Sequence, residues 1–135
     1  MRIDDQVSDA DEAAVVSGLR AFNVERLGPS NEQPVKLVAR ADDGSVVGGL
    51  LGHTKWRWMY VSKLWVAASV RGKGIGSQLM AAAEELARSR GCTDISLDTF
   101  EFQARPFYER LGYKLFGVLE GFPPGYRQFY LTKHL

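Results

Sequence analysis

Residues 64–77 constrain the fold of this chain more than any other segment. An apolar stretch with strand character runs into a loop in which every second residue is glycine, and the loop opens directly into a helix. Glycines allow positive φ angles and let a ligand approach the backbone without meeting a Cβ. The free N–H groups and the dipole of a helix N-terminus attract anions. With Arg71 and Lys73 adding positive charge, the segment predicts a pyrophosphate-binding loop.

Two common phosphate-binding loops do not match this spacing. A Walker loop requires a lysine followed by serine or threonine after its last glycine, whereas Lys73 lies between glycines and no hydroxyl residue follows it. A dinucleotide-binding loop requires Gly-x-Gly-x-x-Gly, but the two Gly-x-Gly pairs lead to Ser77 and Leu79 at the third position. A hairpin-rich N-terminal half is also unlike the start of a dinucleotide-binding fold.

Hydrophobic periodicity and turn residues predict an α/β fold. An antiparallel meander is followed by one right-handed parallel crossover, and then by a helix and a hairpin. Gly48, Gly49 and Gly52 in the second strand predict a bulge or a close backbone approach. The predicted helices cover residues 8–27, 77–90 and 103–111, and the strands cover residues 35–40, 46–53, 58–66, 93–99, 113–120 and 127–134.

Composition excludes several classes of protein. The 135 residues fit one domain, with 45% hydrophobic and 24% charged residues. No apolar run approaches the ~20 residues of a membrane-spanning helix, and no secretory signal is seen, so we expect a cytoplasmic protein without membrane contact. The net charge of +1 argues against nucleic-acid binding. His53 and His134 have no neighbours at metal-ligand spacing, and we predict no metal site.

Two motifs together carry a family resemblance. The string Arg71-x-x-Gly74-x-Gly76 after an apolar strand resembles the pyrophosphate loop of the GNAT N-acetyltransferase superfamily, whose pattern is Arg/Gln-x-x-Gly-x-Gly/Ala. Residues 104–113 are similar to the family's second motif, Ala-x-x-Phe/Leu-Tyr-x-x-x-Gly-Phe/Tyr. The resemblance covers about residues 35–135 and fits the first helix more loosely.

The resemblance implies a mixed, mostly antiparallel sheet flanked by helices, with acetyl-CoA between two splayed parallel strands, here residues 60–66 and 93–99. Backbone groups of the first strand would pair with the pantetheine arm, and the glycine loop would hold the pyrophosphate. The cofactor-binding residues implied are Leu64, Trp65, Val66, Arg71, Gly72, Lys73, Gly74, Ile75, Gly76 and Ser77.

The resemblance also implies acetyl transfer to a primary amine by direct attack on the thioester. Tyr108 matches the tyrosine that protonates the departing thiolate in many members. The first splayed strand lacks the glutamate common in the family, and Glu101 stands where an asparagine often precedes the second motif. Glu101 or Asp98 is therefore the predicted general base.

Three questions stay open from the sequence. The acceptor amine belongs to a small molecule or a protein, and a homodimer is compatible with the resemblance. Because the strand glutamate is missing, the alternative is a non-catalytic module that senses acyl-CoA with the same fold.

Overall fold

A computed structural model describes all residues, 1–135. Its internal contacts divide the chain into two compact units, residues 1–31 and 32–135, and the single-domain organisation stays a prediction. The first unit contains helix α1 (Asp9–Leu27). Ser8 caps α1 as predicted, because its hydroxyl accepts from the Asp11 amide while the Asp11 carboxylate accepts from the Ser8 amide. None of the residues of α1 is buried.

The second unit is built on a six-stranded sheet in the order β1-β2-β3-β4-β6-β5, in which only β3 and β4 are parallel. The predicted mixed, mostly antiparallel α/β fold is therefore confirmed, and β6 lies between β4 and β5. None of the helices has the length and apolar composition needed to cross a bilayer. The elements are β1 (Gln33–Arg40), β2 (Val46–Lys55), β3 (Trp58–Val66), α2 (Ile75–Ser89), β4 (Asp94–Phe100), α3 (Arg105–Arg110), β5 (Lys114–Glu120) and β6 (Arg127–His134).

The core lies between α2 and one face of the sheet. Apolar residues recur along α2 at helical spacing, and the buried ones face the β-branched and aliphatic side chains of the central strands. Burial of this kind contributes about 25 cal/mol per Å² of apolar surface, so this contact stabilises the fold. The most deeply buried side chains are Val35, Leu50, Met59, Met80, Ile95, Leu97 and Leu131.

Two element boundaries differ from the sequence prediction in a way that matters for the site. Helix α2 begins at Ile75 rather than at Ser77, so Gly76 lies in its first turn and not in the loop. Gly74 precedes the helix in the left-handed conformation, with φ of 79°. Helix α3 begins at Arg105 rather than at Gln103, with Pro106 in its first turn, where the missing amide costs nothing.

A close backbone approach at Gly52 confirms the prediction drawn from the glycines of the second strand, and the bulge that accompanies it lies in β3. Leu51 pairs with Lys63 and Gly52 pairs with Val61, which leaves Ser62 as the extra residue. A Cβ on Gly52 would lie 2.0 Å from the Tyr60 carbonyl oxygen, so only glycine permits this approach. Bulges bend the strand that carries them. Pairing between β3 and β4 ends at Val61, the last residue before the bulge.

We expect Gly52→Ala to lower the free energy of unfolding by at least about 2 kcal/mol, because its methyl group overlaps a backbone oxygen that cannot move without breaking the sheet. Gly117→Ala is the matched control. Gly117 also lies in a strand beside a register shift, but a Cβ there meets its neighbours only at 3.7 Å. Urea denaturation of the two variants measures the difference, and equal stabilities would contradict the close approach.

Candidate active site

A groove opens where β3 and β4 separate. Beyond Val61, β3 pairs only with β2, and beyond Leu97, β4 pairs only with β6. The two strand edges that face each other across this gap have no partner strand. The groove has a volume of about 1030 Å³ and is lined by these two strand ends, the glycine loop, the start of α2, and α3 with the turn before it.

The glycine loop brings a row of unpaired amides to one end of the groove. No amide from residues 72–77 donates to a main-chain carbonyl, and the first such donor in α2 is Gln78, which donates to the Gly74 carbonyl at 3.0 Å. The first turn of α2 contains no acidic residue. Free amides and an uncompensated helix dipole together form an anion-binding site.

Arg71 is anchored to the same strand that leads into the loop. Its Nε donates to the Val66 carbonyl oxygen at 3.1 Å, which leaves the rest of the guanidinium available beside the loop. Lys73 is exposed and does not line the groove. The other predicted cofactor-binding residues all line it: Leu64, Trp65, Val66, Arg71, Gly72, Gly74, Ile75, Gly76 and Ser77.

Tyr108 lines the groove from α3 and is 8% exposed. Its ring is held by edge-on contacts with Phe107 and Tyr113, at centroid distances of 5.1 and 6.1 Å. Burial raises the pKa of the Tyr108 phenol, and the negative charge of Asp98 raises it further. The phenol therefore keeps its proton at neutral pH and can donate it into the groove.

Asp98 is the only acidic residue that lines the groove. It is held by two donors from neighbouring strands: the Tyr60 hydroxyl donates to Oδ2 at 2.5 Å, and Gln128 Nε2 donates to Oδ1 at 3.1 Å. Tyr130 in turn donates to Gln128 Oε1 at 3.0 Å. Burial and the bond to Asp98 raise the pKa of Tyr60 to about 12, so this donor stays protonated.

Glu101 lies outside the groove lining and is paired with Arg127. Its carboxylate accepts from Nε and Nη2 of Arg127 at 2.9 and 2.6 Å, and from the Arg127 amide at 3.2 Å. These hydrogen bonds lower the pKa of Glu101. Of the two carboxylates predicted as general base, only Asp98 lines the groove, whereas Glu101 is paired with Arg127.

Sequence reasoning missed several aromatic residues that line the groove. Phe100 is the last residue of β4 and Phe102 follows it, and the end of the Phe107 ring packs against Gly76, where a Cβ would lie 3.3 Å away. Phe107 could have been found from its place beside Tyr108 in the second motif. Phe100 and Phe102 carry no such signal, because an apolar residue at the end of a strand is equally typical of a core position.

Comparisons with known proteins agree with this geometry. The profile of the acetyltransferase (GNAT) family matches residues 8–113. An acetyltransferase of Agrobacterium fabrum is 41% identical over 128 residues, which are 94% of this chain and 93% of the relative. The blasticidin-S acetyltransferase of Streptomyces morookaense is 44% identical over 98 residues, or 72% of each chain. The crystal structure of an acetyltransferase from Bacillus cereus superposes with a TM-score of 0.92 and 32% identity, covering 100% of this chain and 99% of that one.

The matched region includes both the glycine loop and Tyr108. The unpaired amides, the separated strands and the family profile thus lead to one assignment. This chain belongs to the GNAT family of acetyl-CoA-dependent N-acetyltransferases.

Proposed function

We propose that this protein transfers the acetyl group of acetyl-CoA to the primary amine of a small molecule, by direct attack of the amine on the thioester. The row of unpaired amides at residues 72–77, at one end of a groove between separated parallel strands, carries the proposal. The relative named for acetylating blasticidin S supports a small-molecule acceptor. A protein amine is the other acceptor that the sequence left open.

The residues of the loop fit a diphosphate. Gly72 and Gly74 both have φ of 79°, and a Cβ at either would meet nothing within 4 Å. Both glycines line the groove, so no side chain covers their backbone there. The amides of residues 72–77 would donate to the phosphate oxygens, and the Arg71 guanidinium would add charge-assisted hydrogen bonds. Lys73 would contribute only through the long-range attraction of its charge, because its side chain lies outside the groove lining.

The free edge of β3 would hold the pantetheine arm. Leu64, Trp65 and Val66 line the groove while β2 occupies their other edge, so the main-chain groups that face β4 are left to pair with the arm. When bound, acetyl-CoA supplies the activated acyl group. An amide near Val66 would polarise the thioester carbonyl, as an oxyanion hole does.

The acceptor must lose a proton before it can attack. An alkyl ammonium with a pKa of about 10.4 is neutral in about one molecule in 2,500 at pH 7, which costs roughly 4.6 kcal/mol. Asp98 is the proposed base, because it is the only carboxylate in the groove wall and Tyr60 and Gln128 fix its orientation. Glu101, the other predicted base, forms an ion pair with Arg127.

Tyr108 is the proposed acid. As the N–C bond forms and the C–S bond breaks, the sulfur takes the electron pair of the broken bond. The Tyr108 hydroxyl donates a hydrogen bond to this developing thiolate and then its proton. The raised pKa of Tyr108 keeps the hydroxyl protonated until that moment. Asp98, which has passed the first amine proton to solvent before the attack, takes the second proton from the nitrogen as the amide forms, and solvent returns a proton to Tyr108.

Gly74→Asp should weaken CoA binding at least tenfold, since it places a carboxylate and a strained left-handed residue beside the phosphate site. Gly44→Asp is the matched control. Gly44 has φ of 87°, lies in the exposed β1–β2 turn and does not line the groove, so the same charge and strain should leave binding unchanged. Titration calorimetry with CoA measures both. Equal affinity in the two variants would contradict the proposed phosphate site.

Tyr108→Phe should lower kcat by about 100-fold without changing the affinity for CoA, because only the proton donor is removed. We expect wild-type kcat to fall only at alkaline pH, because burial raises the pKa of Tyr108 above its ordinary value, and we expect this fall to be absent in the variant. Tyr113→Phe is the control. The Tyr113 hydroxyl is buried, has no hydrogen-bond partner and does not line the groove. If both variants keep wild-type kcat, Tyr108 is not the acid.

Asp98→Asn should lower kcat/KM by about 100-fold at pH 7, and the loss should shrink as the pH rises and the free amine forms without help. Glu101→Gln is the comparison. Thiol release measured between about pH 6 and pH 10 distinguishes the two variants. A pH-dependent loss in Glu101→Gln but not in Asp98→Asn would assign the base to Glu101 instead.

A further inference from the structure

A cluster of aromatic rings extends the groove beyond Asp98. Phe100 stacks on Phe102 at a centroid distance of 5.5 Å and an interplanar angle of 16°, and both line the groove. Phe122 contacts Phe100 at 5.5 Å, and Tyr126 meets Phe102 edge-on at 5.1 Å. We call these four rings the aromatic wall.

The aromatic wall is open to solvent although it is apolar. Phe102, Phe122 and Tyr126 are 58%, 50% and 46% exposed. Single exposed apolar residues are ordinary, but a contiguous exposed cluster of aromatic rings marks a contact surface. This cluster is continuous with the groove, since two of its rings belong to the groove lining.

The ion pair of Glu101 and Arg127 holds the wall together. Phe100 and Phe102 lie at the end of β4, whereas Phe122 and Tyr126 come from the β5–β6 turn. Glu101 and Arg127 join these two segments through three side-chain hydrogen bonds and one bond from the Glu101 amide to the Arg127 carbonyl at 2.8 Å. Glu101 is thus a positioning residue for the wall.

The charges of the groove limit the number of cationic groups that an acceptor can carry. Asp98 is the only acid in the lining, and the other charged residues that line the groove are the cations Lys63, Arg71 and Arg110. One ammonium group can pair with Asp98, but a second would meet like charges. A polyamine is therefore disfavoured.

We infer that the acceptor of this enzyme is a monoamine carried on a planar aromatic or heteroaromatic ring, with its ring on the aromatic wall and its amine at Asp98. The inference rests on the proposed function. Flat rings are favoured over saturated ones because offset and edge-on aromatic contacts contribute beyond the area they bury. The Phe100–Phe102 pair presents such a face beside the proposed base.

The test compares three amines with acetyl-CoA as donor: 2-phenylethylamine, its ring-saturated analogue 2-cyclohexylethylamine, and the diamine 1,5-diaminopentane. We expect kcat/KM for the phenyl amine to exceed that for the cyclohexyl amine about three- to tenfold, with the diamine lowest. Phe102→Leu keeps an apolar side chain but removes the ring, and should abolish the preference without changing CoA affinity. Phe116→Leu, on an exposed part of β5 outside the groove, is the control.

The outcomes separate this inference from the function it rests on. If amines are acetylated but the phenyl and cyclohexyl compounds react equally, or Phe102→Leu keeps the preference, the inference is wrong and the proposed function stands. A wild-type dimer in sedimentation that Phe102→Leu converts to monomer would contradict the inference, since the wall would then be a self-association surface. If no amine reacts although CoA binds, the proposed function fails and the inference, which rests on it, fails with it.

Discussion

The bulge at Ser62 determines where β3 leaves β4, and the rest of the site depends on that separation. Pairing between the two parallel strands stops at Val61, immediately before the extra residue, and the strand edges beyond it are left without partners. The Ser62 hydroxyl donates to the Leu51 carbonyl at 3.1 Å, which satisfies an acceptor that the bulge would otherwise disturb. The close approach of Gly52 to the Tyr60 carbonyl makes this distortion possible. The same irregularity thus bends a strand and exposes hydrogen-bonding groups to a ligand.

Anion binding in this protein is a local property of the backbone rather than a property of its charge. The chain has a net charge of +1, which provides little long-range attraction for a phosphate. The amides of residues 72–77 supply the donors instead, at the start of a helix whose first turn holds no acid to cancel its dipole. Arg71 adds charge next to them because its side chain is tied back to Val66. Such a site selects among anions by the positions of its amide donors as well as by charge.

Asp98 and Glu101 are close together in the sequence, but their different hydrogen-bond partners give the two carboxylates different roles. Asp98 lies in the groove wall and accepts from two donors on adjacent strands. Glu101 forms an ion pair with Arg127, which joins the end of β4 to the start of β6. Ion pairing lowers the pKa of Glu101, and a carboxylate stabilised in this way is a weaker base. The structure therefore gives each acid a distinct set of partners, although both are acidic side chains near the end of one strand.

The sequence by itself determined the elements whose signals are local. The capped helix at Ser8, the order of helices and strands, the glycine loop and the close backbone approach at Gly52 follow from the nearest few residues, because capping, periodicity and the small size of glycine act over a short range. The sequence predicts the start of α2 two residues too late, because glycine in a first helical turn is indistinguishable from glycine in a loop. Only the tertiary structure decided that β6 lies beside β4, and that Tyr60 meets Asp98 across 38 residues of sequence. It also decided which exposed rings form the aromatic wall, because contacts between distant segments depend on how the strands assemble, and no local pattern encodes them.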